Sequence, residues 1–321
     1  MRQLSVGPNE AGQRLDKLLA KYLSLAPKSF LYKMMRKKNI VLNGKKCEGS
    51  ERLKEGDEIR LFLSEETIKT FSSAPKVKEP SVRSSFPIIY EDSHILLINK
   101  PSGLLSQKAK EGDISLVEQI TAYLLDSGQL TSDQLLTFRP SVCNRLDRNT
   151  SGLIAAGKSL AGLQILSQVF RDRSVHKYYQ CIVSGRVLGA RKIDGFLKKD
   201  GKTNQVSITK TQTPDSQPIA TKYTPLWENG EYTCLQVELL TGRTHQIRAH
   251  LASIGHPIVG DFKYGNKAVN ENAKKTYGIT SQMLHSWKLI MPDSLPDPLS
   301  YLAGKTFTAK LPPEFLQVQP R

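Results

Sequence analysis

The feature that most constrains the fold is a change of character at residue 64. Residues 64–85 read SEETIKTFSSAPKVKEPSVRSS, a stretch rich in Ser, Lys and Pro that lacks a sustained hydrophobic period. This composition is typical of a flexible linker. A chain of 321 residues is also long enough to form two separate cores. We therefore predict a small domain at 13–63, a linker at 64–85 and a larger domain at 86–317.

The first segment has the pattern of a small α/β domain. Apolar residues recur at helical spacing in two groups, which are Leu15, Leu18, Leu19 and Tyr22, and then Phe30, Leu31, Met34 and Met35. Asn43-Gly44, after the apolar run 40–42, is a strong signal for a β-hairpin turn. A further strand is expected at 58–63.

A run of cations marks the second predicted helix and the hairpin turn. Between residues 28 and 46 there are seven basic residues and no acidic one, namely Lys28, Lys33, Arg36, Lys37, Lys38, Lys45 and Lys46. Charge runs are often only solvated faces. Because a helix and a turn both carry these cations, a continuous basic surface is the alternative.

The larger segment alternates short β-like runs with helical patterns at 115–126, 159–172 and 244–254. Strands outnumber helices and several neighbours are joined by turns. This arrangement predicts an α+β fold around a mostly antiparallel mixed sheet.

The overall charge indicates the class of partner. Lys and Arg total 46 against 30 Asp and Glu, which gives a net charge of +16 and a pI of about 9.6. A protein this basic most often binds polyanions, and nucleic acid is the first candidate. The four cysteines are isolated, so neither a disulfide framework nor a zinc site is expected. With no apolar run near ~20 residues and no signal-peptide pattern, we expect a cytoplasmic protein without a membrane partner.

The segment NRLDRNTSGL, residues 144–153, combines a tight turn with an unusual charge pattern. Residues 149–152 are typical of a turn, and the apolar run after them predicts a buried strand. Turn formation does not explain why Arg145 and Arg148 flank Asp147. One interpretation is an ordinary surface ion pair. The other is a carboxylate kept ionised by cations, at a loop where a polyanion approaches.

A helix predicted at 244–254 carries a second unusual charge. Ile247, Leu251 and Ile254 share one face, and Arg248 lies at the edge of that apolar stripe. A guanidinium there is costly unless it contacts an anion. Arg248 is therefore either one half of a structural salt bridge or the partner of Asp147.

Three histidines nearby, His245, His250 and His256, raise the question of a metal site. Five residues along a helix correspond to about 140° of rotation, so His245 and His250 face different directions. No H-E-x-x-H pattern is present. A metal site is not expected.

The segment VHKYYQCIVSG, residues 175–185, predicts a strand in which Tyr179 shares a face with Cys181 and Val183. An aromatic residue at such a position is most often part of a core. In a basic cleft, the same ring would stack on a nucleobase.

Taken together, these motifs resemble those of the RluA/RluC/RluD-type family of RNA pseudouridine synthases. Residues 144–152 resemble the family pattern H-R-L-D-x-x-T-S-G, with Asn144 in place of the first His. Residues 177–179 match K-x-Y, and residues 242–250 match G-R-x-H-Q-I-R-x-H. Residues 100–104, KPSGL, match a further family segment. Asn and His both donate and accept hydrogen bonds, so we expect the loop geometry to be kept.

Residues 13–63 resemble an S4 RNA-binding domain, and the S4-first order with the run PKSFLY is most similar to RluC-type enzymes, which act on large-subunit ribosomal RNA. The resemblance implies a catalytic Asp147, an Arg248 that pairs with it, and a Tyr179 that stacks on uracil and assists removal of the C5 proton. It also implies RNA contacts from the loop residues Arg145, Arg148, Arg243 and His245, and from the S4 residues Lys28, Lys33, Arg36, Lys37 and Lys38.

The implied reaction breaks the N1–C1′ bond of uridine and rejoins the base through C5, with Asp147 acting on C1′ or on a sugar proton. Bond breaking and making balance within one nucleotide, so no cofactor or metal is expected. The expected partner is 23S-type ribosomal RNA, and the expected state is a monomer.

Two other functions fit parts of the pattern. A non-catalytic RNA-binding or ribosome-assembly protein would have no physical reason to keep Asp147, Tyr179 and Arg248 together. A glycosidase needs two carboxylates flanking the scissile bond. Asp147 has only arginines near it in sequence, and Asp261 lies in a segment that the family resemblance assigns elsewhere.

Overall fold

The structure is a computed structural model that describes residues 1–72, 86–201 and 203–320. The chain divides into two compact units. One contains the N-terminal residues together with Val117–Ser141 and Gly157–Leu163. The other contains Phe86–Leu116, Val142–Ala156 and the remaining C-terminal residues.

The N-terminal unit is built on a small antiparallel sheet with two helices. Its first elements are β1 (Arg2–Ser5), α1 (Leu15–Tyr22), α2 (Lys28–Arg36), β2 (Ile40–Leu42), β3 (Lys45–Lys46) and β4 (Glu58–Leu61). The strand order is β1-β4-β2-β3. Asn43 and Gly44 both have positive φ, as a two-residue hairpin turn requires, so the predicted hairpin is confirmed. The apolar faces of α1 and α2 form the core of this unit.

The predicted linker begins with a helix, α3 (Glu65–Phe71). The Ser64 side chain caps its N-terminus by accepting a hydrogen bond from the backbone N–H of Thr67 at 3.1 Å. Ile68 is buried in the N-terminal core, and the Phe71 ring lies 4.7 Å from that of Phe30. The expectation of irregular structure from residue 64 is therefore corrected, because a cap and one buried side chain are enough to fix a short helix against a core. The rest of the predicted linker, 73–85, lies outside the described residues.

The N-terminal unit also includes sequence from beyond residue 86. The Thr137 hydroxyl donates to the Glu10 carboxylate at 2.6 Å in a buried contact, and Leu136 packs against the N-terminal core. The backbone N–H of Leu160 donates to the Asn9 side chain at 3.2 Å. Local sequence patterns carry no signal for such contacts, because the partners are more than a hundred residues apart.

The second unit contains an eleven-stranded sheet. The strands are β5 (Ile88–Glu91), β6 (Ile95–Lys100), β7 (Ser141–Val142), β8 (Ser151–Gly157), β9 (His176–Ser184), β10 (Arg191–Lys199), β11 (Val206–Thr209), β12 (Ser216–Glu228), β13 (Tyr232–Leu239), β14 (Leu284–Ile290) and β15 (Thr306–Thr308). The order is β11-β10-β12-β13-β9-β14-β8-β6-β5, with β15 beside β14 and β7 beside β8. Pairings from β11 to β14 are antiparallel, whereas β8 and β14 run parallel. The predicted α+β class with a mostly antiparallel mixed sheet is confirmed.

The remaining helices of the chain are α4 (Leu116–Asp126), α5 (Leu160–Arg171), α6 (Gln246–Ser253), α7 (Lys267–Tyr277) and α8 (Pro313–Val318). Three of them match the helical patterns read from the sequence. The short helix α6 packs against β10, β11 and β12. Within the described ranges, no helix combines the length and apolar character that crossing a membrane requires.

Candidate active site

The loop 143–150, between β7 and β8, is held by its own backbone and by several side chains, of which Asn144 lies within the loop. The backbone N–H of Thr150 donates to the carbonyl of Asp147 at 3.0 Å. The Asn144 amide donates to the Leu153 carbonyl at 3.2 Å and accepts from the Ala155 N–H at 2.8 Å. Asn144 therefore ties the loop to β8 through both functions of its amide, in keeping with the expected loop geometry.

Gly152 allows this loop to enter the sheet where β8 meets β14. Its φ is +112°, and a Cβ at this position would lie 2.2 Å from the carbonyl oxygen of Ser286. Only glycine fits so close an approach at that φ. The turn sequence before β8 thus has a steric cause as well as a conformational one.

Lys100, at the end of β6, supports the same loop from inside the protein. The side chain is fully buried, and its ammonium donates to three carbonyls, those of Pro101 at 2.7 Å, Leu104 at 2.8 Å and Arg148 at 3.0 Å. Burial lowers the pKa of Lys100 to about 7, and the negative charge of Asp147 opposes that shift. The amine thus joins the 101–104 segment to the loop that carries Asp147.

Arg248 contacts two carboxylates at once. Its Nη1 donates to Oδ2 of Asp147 at 2.7 Å, while Nε and Nη2 donate to the two oxygens of Asp261 at 2.7 and 2.8 Å. Arg248 is 6% exposed and Asp261 is 0% exposed. Burial opposes ionisation of both groups, but their mutual hydrogen bonds and charges raise the pKa of Arg248 and lower the pKa of Asp261. The two interpretations of Arg248 are therefore both correct.

The sequence placed Arg248 at the edge of an apolar stripe, and the structure corrects this. The first six residues of α6 are all buried, so the helix exposes no polar face there. Burial of Arg248 is tolerated because each of its three guanidinium nitrogens, Nε, Nη1 and Nη2, donates to a carboxylate oxygen.

His245 precedes α6 in a left-handed conformation, with φ of +55°. Its Nδ1 lies 2.9 Å from the Tyr264 hydroxyl, and its Nε2 lies 3.8 Å from Oδ2 of Asp147. The other two histidines point elsewhere, since His250 bonds Thr221 and His256 bonds the Ser184 carbonyl. No group of three His, Cys, Asp or Glu among the described residues is arranged to hold a metal ion.

Tyr179 on β9 lines the same cleft as Asp147. Its side chain is buried, and burial raises the pKa of Tyr179 to about 12. The phenol is therefore neutral near pH 7. A neutral phenol is suited to stacking or donating a hydrogen bond, and poorly suited to accepting a proton from C5.

The cleft around Asp147 has a volume of about 820 Å³. Basic side chains dominate the charged residues that line it, and they are Lys108, Arg145, Arg148, Arg171, Arg173, Lys177, Lys199, Arg243 and Arg248. Asp147 is the one acidic side chain among those lining residues. Arg145 and Arg148 are exposed, and the buried Nε of Arg243 has no partner among the described residues. The cleft is built to receive an anion around a single carboxylate.

Known proteins resemble this chain over most of its length. The RNA pseudouridylate synthase family model matches residues 94–253, and the S4 domain model matches residues 13–59. The ribosomal large subunit pseudouridine synthase C of Vibrio cholerae is 30% identical over 286 residues, which cover 88% of this chain and 86% of the relative. Its counterpart in Vibrio parahaemolyticus is 31% identical over 266 residues, covering 82% and 80%.

This chain belongs to the RNA pseudouridylate synthase family. It is an isomerase that acts on uridines in RNA. The fold agrees, since the solved structure of human RNA pseudouridylate synthase domain containing 4 has a TM-score of 0.58 at 21% identity, covering 72% of this chain and 90% of that one.

The pseudouridine synthase carries its S4 cations on the surface of the N-terminal unit. Lys28, Lys33, Arg36, Lys37 and Lys38 are all exposed on α2 or directly after it. Lys45 and Lys46 are exposed on β3. These residues belong to a different unit from Asp147.

Three residues of the synthase site were not predicted as site residues. Lys100 lies in a family segment, but nothing in KPSGL indicates that its amine is buried. Asp261 was considered only as a glycosidase carboxylate, and its complete burial behind Arg248 confirms that it cannot flank a bond of the substrate. Tyr264 lies in the same segment as Asp261, GHPIVGDFKYG, which continues the family match, but no role was predicted for it. A Gly-Asp pair directly after the apolar run 257–259 was the one available hint of a buried carboxylate.

Proposed function

We propose that this enzyme converts uridines of large-subunit ribosomal RNA to pseudouridine, with Asp147 as the catalytic carboxylate. The observation that supports Asp147 most directly is its place as the single acid in a cleft lined by cations. The choice of RNA is supported by the names of the Vibrio relatives, which are ribosomal large subunit enzymes.

The chemistry assigns a part to each group. The N1–C1′ bond breaks, the uracil rotates, C5 bonds to C1′, and the C5 proton leaves while N1 gains one. Asp147 acts as a carboxylate, either on C1′ or on a sugar proton, and Arg248 holds it in place through the hydrogen bond to Oδ2. The hydrogen bond from Arg248 falls on Oδ2, His245 Nε2 lies 3.8 Å from the same oxygen, and no hydrogen bond from a described residue reaches Oδ1. Oδ1 is therefore the oxygen assigned to the nucleotide.

The remaining residues bind and hold the RNA. Tyr179 stacks on the extruded uracil, and its pKa of about 12 keeps the phenol protonated near neutral pH. Arg145, Arg148 and Arg243 bind phosphates around the cleft, and Arg243 brings a buried donor without a partner among the described residues. The five cations of α2 and its end, Lys28, Lys33, Arg36, Lys37 and Lys38, bind RNA outside the cleft.

We also propose that the protein acts as a cytoplasmic monomer and that residues 13–63 form the S4 part and 86–317 the catalytic part. Pseudouridine mapping in ribosomal RNA from a strain lacking this protein tests the function. We expect specific large-subunit positions to lose pseudouridine. Wild-type protein should restore them, and Asp147→Asn should not. Unchanged large-subunit RNA, with loss of pseudouridine in another RNA, would contradict the ribosomal assignment alone.

A further inference from the structure

The turn 260–265 is fixed by features unrelated to RNA contact. Gly260 has φ of +77°, and a Cβ there would lie 2.2 Å from the Ser281 carbonyl oxygen. A Cβ on Gly265 would lie 2.1 Å from the Asp261 carbonyl oxygen. The buried Asn270 amide accepts from the Gly260 N–H at 2.8 Å and donates to the Asp261 carbonyl at 2.9 Å. The turn therefore has one geometry, and side chains on it are held accurately.

Asp261 uses that geometry to orient Arg248. Its carboxylate accepts the backbone N–H groups of Lys263 at 2.9 Å and Tyr264 at 3.1 Å, in addition to the paired bonds from Nε and Nη2 of Arg248. A paired contact fixes the plane of a guanidinium as well as its position. Nε and Nη2 are taken by Asp261, so Nη1 is the nitrogen left to contact another group, and it donates to Oδ2 of Asp147.

Tyr264 performs a second task on the same turn. Its hydroxyl oxygen accepts the Val206 N–H at 2.9 Å, so the phenolic proton is available for Nδ1 of His245 at 2.9 Å. Burial lowers the pKa of His245, which keeps the ring neutral near pH 7. A neutral imidazole carries one ring N–H proton. Because Nδ1 accepts the hydrogen bond from the Tyr264 hydroxyl, that proton lies on Nε2. The opposite tautomer would turn a lone pair toward the Asp147 carboxylate.

We propose that the turn 260–265 is the positioning element of the catalytic carboxylate. Asp261 aims Arg248 at Asp147, and Tyr264 fixes the proton of His245 on Nε2, facing the same oxygen, Oδ2. Asp261 and Tyr264 are positioning residues that touch no substrate. The inference rests on the proposed catalytic role of Asp147. It explains why Nη1 of Arg248 donates to Oδ2 while Nε2 of His245 faces the same oxygen from 3.8 Å.

The first test measures single-turnover rates with saturating enzyme, as release of tritium from C5-labelled uridine in large-subunit ribosomal RNA. We expect Asp261→Asn to slow the reaction about 100-fold, the effect of misplacing a catalytic group by about 1 Å. Tyr264→Phe should slow it about 10-fold, as removal of an orienting partner does. RNA affinity should be unchanged in both. Matched controls are Asp92→Asn, which removes a carboxylate that accepts two backbone N–H groups outside the cleft, and Tyr232→Phe, which removes another bonded hydroxyl.

The second test is independent of activity. The ring ¹⁵N shifts of His245, assigned with a His245→Gln variant, should show the Nε2–H tautomer in the wild type and a mixture in Tyr264→Phe. Retained wild-type rates in both turn variants, with Asp147→Asn inactive, would overturn the positioning role alone. An active Asp147→Asn would overturn the proposed function instead. If Asp261→Asn does not fold, the proposal is judged on the rate of Tyr264→Phe and on the tautomer of His245 in that variant.

Discussion

The cleft and the S4 surface use the same type of residue in opposite ways. In the cleft, Arg248 is buried and each of its bonds has a defined carboxylate partner. On α2, Lys33 and Arg36 are exposed to solvent. A buried ion pair acts through geometry and is little screened by salt, whereas exposed cations act through their number and are screened. The comparison teaches that charge in the cleft should control rate, and charge on the S4 surface should control affinity.

The largest expected effect is that of Asp147→Asn. The change keeps the side-chain shape and removes the charge that the chemistry requires. We expect the single-turnover rate to fall by more than about 100-fold, the usual contribution of such a group. RNA affinity and its salt dependence should stay at the wild-type values, as filter binding would measure. If Asp147→Asn kept a tenth of the wild-type rate, the expectation that charge in the cleft controls the rate would be wrong.

The next effect separates two arginines that lie close to Asp147. Arg248→Met leaves Asp261 buried without its arginine partner, so the protein should lose about 3–5 kcal/mol of unfolding free energy. At saturating RNA its rate should fall at least as far as that of Asp261→Asn, about 100-fold, because Arg248 is the group that Asp261 orients. Arg148→Met, on the exposed side of the loop, should instead weaken RNA binding and keep the rate.

Thermal denaturation of both variants provides the control for stability. The double variant Arg248→Met/Asp261→Asn should regain part of the lost stability without regaining activity, because it removes the unpaired buried charge but does not restore the partner of Asp147. If Arg148→Met lowers the rate at saturation and Arg248→Met does not, the assignment of the partner is wrong.

A moderate effect on binding alone is expected from the S4 surface. We expect the variant Lys33→Gln/Arg36→Gln/Lys37→Gln/Lys38→Gln to reduce the slope of log affinity against log salt by about 0.7–0.9 for each phosphate that it no longer neutralises. The rate at saturating RNA should be kept. Substitution is preferable to deletion of 1–63, because Leu136 and Thr137 pack within the same unit. The control variant is Lys274→Gln/Lys275→Gln, which neutralises two exposed lysines of α7. An equal change of slope for each lost charge would show that the cations of α2 have no special part in RNA binding.

The smallest effect is expected for Tyr179→Phe, which keeps the ring and removes the hydroxyl. Burial raises the pKa of Tyr179 to about 12, so the phenol stays protonated near neutral pH. Its ionisation therefore makes no contribution to a pH–rate profile near neutrality. We expect a loss of only a few-fold, about that of one hydrogen bond, and a profile of unchanged shape. Tyr179→Leu, which removes the stacking surface, should lose more. A displaced alkaline limb in Tyr179→Phe would restore the hypothesis of proton removal by this residue.

Sequence alone was sufficient where local pattern determines structure. The periodicity of Leu15, Leu18 and Leu19, the Asn43-Gly44 turn and the apolar run at 153–156 each correspond to the expected element. The pairing of Arg248 with Asp147 was also predicted, as one of two alternatives. These features depend on short-range spacing or on motifs that keep their order along the chain.

Other features could not be read from sequence because they depend on distant contacts. Helix α3 lies at the start of the Ser-, Lys- and Pro-rich stretch 64–85 and is stabilised by burial of Ile68. The inclusion of 117–141 in the N-terminal unit depends on contacts such as that of Glu10 with Thr137. In the sequence, Asp261 looks like an ordinary acidic residue of a turn. Its contact with Arg248 forms only because the fold brings the two residues together.

The amine of Lys100 has a consequence for how this enzyme tolerates change. It holds the loop through main-chain carbonyls only, including that of Arg148. A side chain at 148 can therefore be replaced without loosening the attachment of Asp147. Exposed residues proposed to bind RNA, such as Arg148, can then change while Asp147 keeps its position. Within the eight-residue loop 143–150, the exposed side chains and the position of Asp147 can thus change independently.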